Sequence, residues 1–318
     1  MTNQRLETVW EGYQKGFHGE NLPVEFLMSL PPQLYPSDLS DAEWDLLGPL
    51  IPSAKPGGRP RKWPMRTTLD GIFYLLRTGC AWRFLPREYP PWPTVYSYFR
   101  RFRLDGTWEQ INTTLRERER LRQGRNEQPS ACIIDSQSVK TTTVGGIRGY
   151  DGAKKISGRK RHLLFDVTGL VLRATVHAAD LQDRAGVPLV LDGVEDGFPL
   201  LEHIWADQGY TGGSKSWIEE HVGWSVEIVQ HPPHPRGEWR IVPEPDDPTR
   251  GHFAWFRLPP AKKEFRGILP RRWVAERTFS WISQSRRLSK EYERLCETSE
   301  AMIYAVMSRL MLRRLARV

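Results

Sequence analysis

Residues 131–178 read ACIIDSQSVKTTTVGGIRGYDGAKKISGRKRHLLFDVTGLVLRATVHA, and the fold turns on them. Before this point apolar residues recur with the helical period of about 3.6; here they alternate or run together as strands require. ACIID (131–135), HLLFDV (162–167) and LVLRATVHA (170–178), the last two joined by a Thr168-Gly169 turn, predict three consecutive strands. Downstream, QDRAGVPLVLDGVED (182–196) predicts a helix, HIWAD (203–207) a strand, SKSWIEEH (214–221) a helix and SVEIV (225–229) a strand. Residues 231–263 are Pro-rich with aromatic clusters and read as an extra hairpin or loop, and 270–318 are helical. The order predicts an α/β fold, a mixed sheet flanked by helices.

Upstream, Ser40 and Glu43 form an S-x-x-E capping box, and Trp44, Leu47 and Ile51 follow at helical spacing until Pro52. The linker SAKPGGRPRKWP (53–64) is rich in Pro, Gly and base; Arg59, Arg61 and Lys62 suit a phosphate backbone or a narrow minor groove, and suit a solvated spacer as well. Leu69, Ile72, Phe73, Leu75 and Leu76 predict a helix ending at Gly79, and WPTVYSYFRRFRLDG (92–106) predicts another that Pro93 helps to start. In the latter Val95, Phe99 and Phe102 face a core, while Thr94, Ser97 and Arg101, flanked by Arg100 and Arg103, line another side. That pattern predicts a helix-turn-helix-like module over about residues 36–115, with a helical bundle carrying a solvated basic face as the alternative. Residues 1–35 read as an extension outside the main fold.

The chain has 318 residues, with 46 Lys and Arg against 38 Asp and Glu, a formal charge of +8 that favours an anionic partner, nucleic acid or membrane surface. No run approaches the roughly 18 apolar residues of a spanning helix, and MTNQRLETVWEGYQ resembles no leader, so a soluble, unexported protein is expected. Cys80, Cys132 and Cys296 lie far apart in apolar surroundings and read as small buried hydrophobes in a reducing compartment.

Asp135 and Asp207 each end an apolar run and precede a small or polar turn. Either alone is an ordinary turn former; on adjacent strands they would converge at one edge, in a form suited to Mg²⁺ rather than zinc. At about 100° per residue along RRWVAERTFSWISQSRRLSKEYERL, Arg272, Ser280, Ser283, Arg287, Lys290 and Arg294 fall on the face of Glu276, opposite Trp281, Leu288, Tyr292 and Leu295. A solvated face tolerates this pattern, and so does a metal ligand beside a DNA track. Three such carboxylates would hold two Mg²⁺ ions roughly 3.5–4 Å apart for in-line phosphodiester displacement. The Gly-rich segment KTTTVGGIRGYDGAKKISGRKRH predicts a basic loop placing Lys140, Lys154, Lys155, Arg159, Lys160, Arg161 and His162 beside that edge. Trp239, Phe253, Trp255 and Phe256 suit stacking on an unpaired base or a small satellite core, whereas His231, His234 and His252 lack partners for zinc. His177 and Asp180 follow the third strand, as strand-end polar residues or as helpers of the site.

At these residues the chain resembles bacterial insertion-sequence transposases of the DDE type, most closely the insertion sequence five (IS-five) family. The resemblance covers about residues 38–230 and 265–310 and is carried by LSDAEWDLLGPLIP, GRPRKWPMRTTLDGIFYLLRTGCAWRFLP, IIDSQSVKTT, GYDGAKKISGRKRH, WADQGYTG and LPRRWVAERTFSWISQSRRLSKEYE. It implies an RNase H-like catalytic core over residues 129–318 and a helical, helix-turn-helix-like DNA-binding region over 36–128. It also implies Asp135, Asp207 and Glu276 as the DDE triad, acting with two Mg²⁺ ions (Mn²⁺ as a substitute). The implied reaction cuts the terminal inverted repeats of an element and transfers the strand to target DNA, in the bacterial cytoplasm at the nucleoid. Related enzymes carry Y-x2-R-x3-E-x6-K; Arg272 and Glu276 match it, while Leu269 and Ser283 occupy the Tyr and Lys places. The need to cut two ends together, with the amphipathic segment AMIYAVMSRLMLRRLARV (301–318), predicts a homodimer on double-stranded DNA and no membrane association. A nuclease without strand transfer and an inactive DNA-binding repressor are the alternatives.

Overall fold

The computed structural model describes residues 34–54, 57, 60–229, 237–244, 247–256 and 270–317, apart from the side chains of 247–249 and 270–272. Its centre is a six-stranded sheet of β1 (Ala131–Lys140), β2 (Gly149–Asp151), β3 (Ile156–Asp166), β4 (Val171–Ala178), β5 (His203–Ala206) and β6 (Ser225–Ile228). The order is β2-β3-β1-β5-β6, with β4 also paired to β3. β1, β3 and β4 form an antiparallel meander, and β5 and β6 run parallel to β1. Alternation assigns the faces as a period of 2 demands. Ile133, Leu163 and Phe165 join a core shared with helices α1 (Asp41–Leu47), α2 (Met65–Thr78), α3 (Trp92–Leu104), α4 (Thr107–Arg122), α7 (Pro270–Ser283) and α8 (Cys296–Leu315). Cys132, Ile134 and Leu164 join a second core with α5 (Val187–Leu191) and α6 (Gly213–His221).

The capping box forms as expected: Ser40 Oγ accepts from the Glu43 N–H, and the Glu43 carboxylate accepts from the Ser40 N–H at 2.8 Å. α3 buries Val95, Phe99 and Phe102. Helices α2 and α3 are separated by residues 79–91, which include a 3-10 turn at Trp82–Phe84. That connection is longer than the three- or four-residue turn of a tight helix-turn-helix. The two helices therefore form a wide helix-turn-helix-like pair, both anchored in the core shared with the sheet.

Helix α4 buries a short apolar stripe, Trp108, Ile111 and Leu115, and beside it polar and charged residues. Asn112 Nδ2 donates to Val171 O at 2.9 Å, and Arg120 pairs with Asp166 in the interior. At the other end of the chain, α8 packs against α4, β4, α1 and α2. The N-terminal helices and the sheet thus share one core, although β1 begins near the predicted boundary at residue 129.

Two basic stretches fold differently from expectation. The predicted loop is shorter, because β1 runs on to Lys140 and β3 begins at Ile156. Arg159, Lys160, Arg161 and His162 are therefore buried strand residues. Arg159 donates to the carbonyls of Ile147, Glu293 and Arg294 at 2.7–2.8 Å, and Arg161 Nε donates to Glu291 Oε1 at 2.7 Å. Their guanidiniums are committed inside the protein, which corrects their assignment as DNA contacts; Lys160 is likewise held, by Asp183 at 2.7 Å.

The helix carrying Glu276 was expected to continue to Leu295, but it ends at Ser283 and is followed by a 3-10 turn at Arg286–Leu288. Arg287 is buried against Glu293 and Cys80 O, so it does not share the face of Glu276. Gly79 helps to set this turn. It is left-handed at φ 73°, and a Cβ there would lie 3.2 Å from the Arg286 carbonyl carbon. Cys132 is buried as expected, while Cys80 and Cys296 are half-buried and all three are free thiols.

The expected insertion contains a two-stranded hairpin, β7 (Glu238–Glu244) with β8 (Asp247–Phe256). Trp239 pairs across it with Trp255 and Ile241 with Phe253, and all four side chains are exposed rather than gathered into a satellite core. His231, His234, Leu269, Arg59 and residues 1–33 lie outside the described residues, as does the side chain of Arg272.

Candidate active site

The parallel pairing of β1 with β5 brings the two aspartates together. Ile134 is in register with Ala206, so Asp135 and Asp207 occupy the next positions on neighbouring strands, whose usual separation is about 4.8 Å. Asp207 then caps a 3-10 turn (Gln208–Tyr210), its carboxylate accepting from the Gly209 N–H at 2.8 Å. Asp135 accepts from the Ser136 N–H at 2.6 Å. Glu276 arrives from α7, whose Val274, Ala275, Phe279 and Ile282 anchor it on the Ile133 face of the sheet. Asp135 and Glu276 line a common cleft of about 440 Å³ with Lys154, Ser280 and Ser283.

Burial, reinforced by the charges of Asp207 and Asp183, pushes the Asp135 carboxyl up to about 7, against the opposing pull of the Ser136 N–H and Lys154. A divalent cation between hard oxygen donors relieves that crowding of negative charge, so the donor set fits such an ion. Among the described residues no three acidic, His or Cys side chains are already gathered at coordinating distance. Asp135 and Asp207 would supply the paired carboxylates and Glu276 the third, from across the cleft.

Beneath the pair lies a polar layer only partly visible in the sequence. The Tyr210 hydroxyl is hydrogen-bonded to His162 Nε2 at 2.7 Å, and His162 Nδ1 lies 3.4 Å from His177 Nε2. Burial, with His177 beside it, holds His162 down to about 3, so it is neutral, and burial raises the Tyr210 hydroxyl. Ser136 Oγ donates to Asp183 at 2.6 Å, and despite burial the bonds from Lys160 and Ser136 hold the Asp183 carboxyl below its ordinary value. WADQGYTG offered a signal for Tyr210; Asp183, in a short 3-10 turn, had none. His177 belongs to this layer.

Tyr210 ends the turn that begins at Asp207, and its buried ring and hydroxyl hold that turn to β3. If the reaction is the metal-dependent DNA cutting that the resemblance implies, with Asp207 as a ligand, Tyr210→Phe is expected to slow it about tenfold or more by loosening Asp207, since displacements near 1 Å carry such costs. Equilibrium binding of the same DNA should be unchanged. Cutting at the wild-type rate would show that the turn holds without this bond.

The other predicted contacts divide. Lys62, Arg100, Arg101, Lys140, Lys154, Lys155, Lys290 and Arg294 are exposed, and Arg61 and Arg103 are half-buried.

Three comparisons bear on this arrangement. Residues 39–112 match the family described as "Putative transposase of IS4/5 family" (DUF4096), and residues 126–311 match the transposase DDE domain. A curated relative, the insertion element IS402 uncharacterized 16.2 kDa protein of Burkholderia cepacia, is 30% identical over 113 residues, 34% of this chain and 76% of the relative. No solved structure matches. No helix among the described residues is long and apolar enough to cross a membrane. The second match begins before β1 and runs into α8, taking in the whole sheet and both sides of the cleft; by it the chain belongs to the DDE transposases of insertion sequences, metal-dependent enzymes of DNA cleavage and strand transfer with an RNase H-like core.

Proposed function

We propose that Asp135, Asp207 and Glu276 are the catalytic carboxylates of this transposase, and that it acts with Mg²⁺ on the terminal inverted repeats of its own element. The observation that carries the reading is the Ile134–Ala206 register, which sets two carboxylates side by side at one sheet edge, with Glu276 lining the same cleft as Asp135. Two Mg²⁺ ions, or Mn²⁺ in their place, would supply Lewis acidity at the attacking and leaving oxygens of an in-line displacement. The protein's own part is to fix the carboxylates through the two strand ends and α7, and to place Lys154 beside the phosphate. Exposed Lys62, Arg100, Arg101 and Lys155, half-buried Arg61 and Arg103, and Arg59, Arg272 and Arg294 would hold the end duplex. Paired ends call for two active sites, hence a homodimer on DNA, working at the bacterial nucleoid.

The test is incubation of wild type and Glu276→Gln with duplexes carrying the repeats that flank the gene, a target plasmid and Mg²⁺. Wild type is expected to yield plasmid-joined ends and the variant none. Cutting without joining would replace the reading with that of a nuclease, and binding without either with that of a repressor.

A further inference from the structure

A second cleft, of about 210 Å³, opens off the first. Gln137, Ser138 and Ser283 line both, and the second continues to Lys140, Ser289 and Lys290. It exists because neighbouring elements stop early. β5 leaves β1 after Ala206, opposite Ile134, while β1 runs on to Lys140; α7 stops at Ser283 instead of covering it. Among the described residues, main-chain pairing with this end of β1 resumes where the Glu291 N–H donates to Lys140 O at 2.9 Å and the Thr142 N–H donates to Glu291 O at 3.1 Å. Asp135 to Lys140 therefore forms one side of a trough about 17 Å long at the rise of an extended strand.

The lining has a chemical direction. Carboxylates stand at one end, hydroxyls and an amide in the middle, and two exposed lysines at the other end. Arg161 also borders the second cleft but is occupied by Glu291, and neither Lys140 nor Lys290 is in an ion pair among the described residues. Among the described residues Gln137 Oε1 is buried without a hydrogen-bond partner, and a primary amide can turn to offer either its oxygen or its N–H groups. A hydrolytic centre at the mouth of a hydroxyl-lined, lysine-ended trough suits a polyanion that continues past the reacting bond.

We propose that this trough is a strand-binding subsite, taking the phosphodiester backbone of one DNA strand as it leaves the carboxylates. Lys140 and Lys290 meet phosphates no more than about five stacked nucleotides from the reacting bond, given 3.4 Å of rise per nucleotide. Gln137 meets a phosphate between them and the carboxylates. The assignment of the reacting end rests on the proposed role of Asp135 and Glu276.

The test uses the full chain without divalent metal, and a fluorescent duplex carrying the terminal repeat, titrated between about 50 and 200 mM salt. Lys140→Gln/Lys290→Gln is expected to weaken binding at least tenfold and to flatten the slope of log K against log salt by about 1.8, or about 1.4 if the strand is unpaired there. Gln137→Glu, which sets a carboxylate against the phosphate, is expected to weaken binding about tenfold; a charge at this half-buried position also lowers the thermal midpoint, so binding is compared well below the midpoint of each protein. Lys215→Gln, exposed on α6, serves as the charge control and should keep the wild-type slope. A double variant with the wild-type slope overturns the subsite, whether or not the wild type cuts DNA when Mg²⁺ is added. A flattened slope in a protein that never cuts would instead support the trough and sink the catalytic reading.

Discussion

Asp135→Asn is expected to abolish metal-dependent cutting, by at least about 10³-fold, while leaving the affinity for end DNA within a few-fold of wild type. Losing one of the paired ligand charges forfeits several kcal/mol of stabilisation at the reacting oxygens, and each 1.4 kcal/mol is a factor of ten in rate. The basic surfaces proposed to bind the end duplex keep their charge. Stability distinguishes this loss from misfolding. In the metal-free protein the Asp135 carboxyl is pushed up to about 7, whereas an unfolded chain ionises near 3.9. A folded acid with a raised value binds more protons than its unfolded counterpart, so the fold loses stability as pH rises from about 4 to 7 and carries the full cost above that. Asn has no such cost. At pH 8 without metal the variant should melt no lower than wild type, and added Mg²⁺ should raise the wild-type midpoint more than the variant's. A variant that melts normally and still cuts would remove Asp135 from the triad.

The second large effect concerns stability. Glu291 is buried among Arg161, Arg159 and Ser299, and its main chain carries the junction with β1. Glu291→Ala leaves two buried guanidiniums without their carboxylate, and breaking a buried pair from one side costs about 3–5 kcal/mol. Thermal or urea unfolding of the variant checks this. A loss below about 1 kcal/mol would show that the main-chain carbonyls already bonded to Arg159 and Arg161 hold them unaided, at the ordinary value of a hydrogen bond.

Those arginines also mark where sequence reading stops. Asp135 and Asp207 were legible because each closes a short apolar run, and a strand end is a local property. Ser40 with Glu43, and Val95 with Phe99 and Phe102, were legible for the same reason: their partners lie within two turns. Arg159, Lys160 and Arg161 sit in a run of bases that local rules assign to solvent, yet the acceptors of the two arginines include Glu291, Glu293 and Arg294, more than 120 residues away. The end of α7 at Ser283 was equally hidden, because helical spacing continues through Leu295; Arg287 is drawn instead to Glu293 and to a carbonyl at Cys80. α4 offered only the short stripe of Trp108, Ile111 and Leu115, because Asn112, Arg116 and Arg120 take the neighbouring interior positions. In each case a tertiary partner overrode a local preference.

The interlocking of α8 with α1, α2 and α4 has a consequence for synthesis of the chain. Apolar faces of the first helices, Leu47, Leu69, Leu76 and Leu115 among them, belong to a core completed by Met302, Met307 and Leu312, which are synthesised only after the whole sheet. Contacts of such long sequence separation form slowly and late. The first helices therefore gain their full packing only once α8 has been made, and a product released before α8 would expose those leucines to chaperones and proteases instead of burying them.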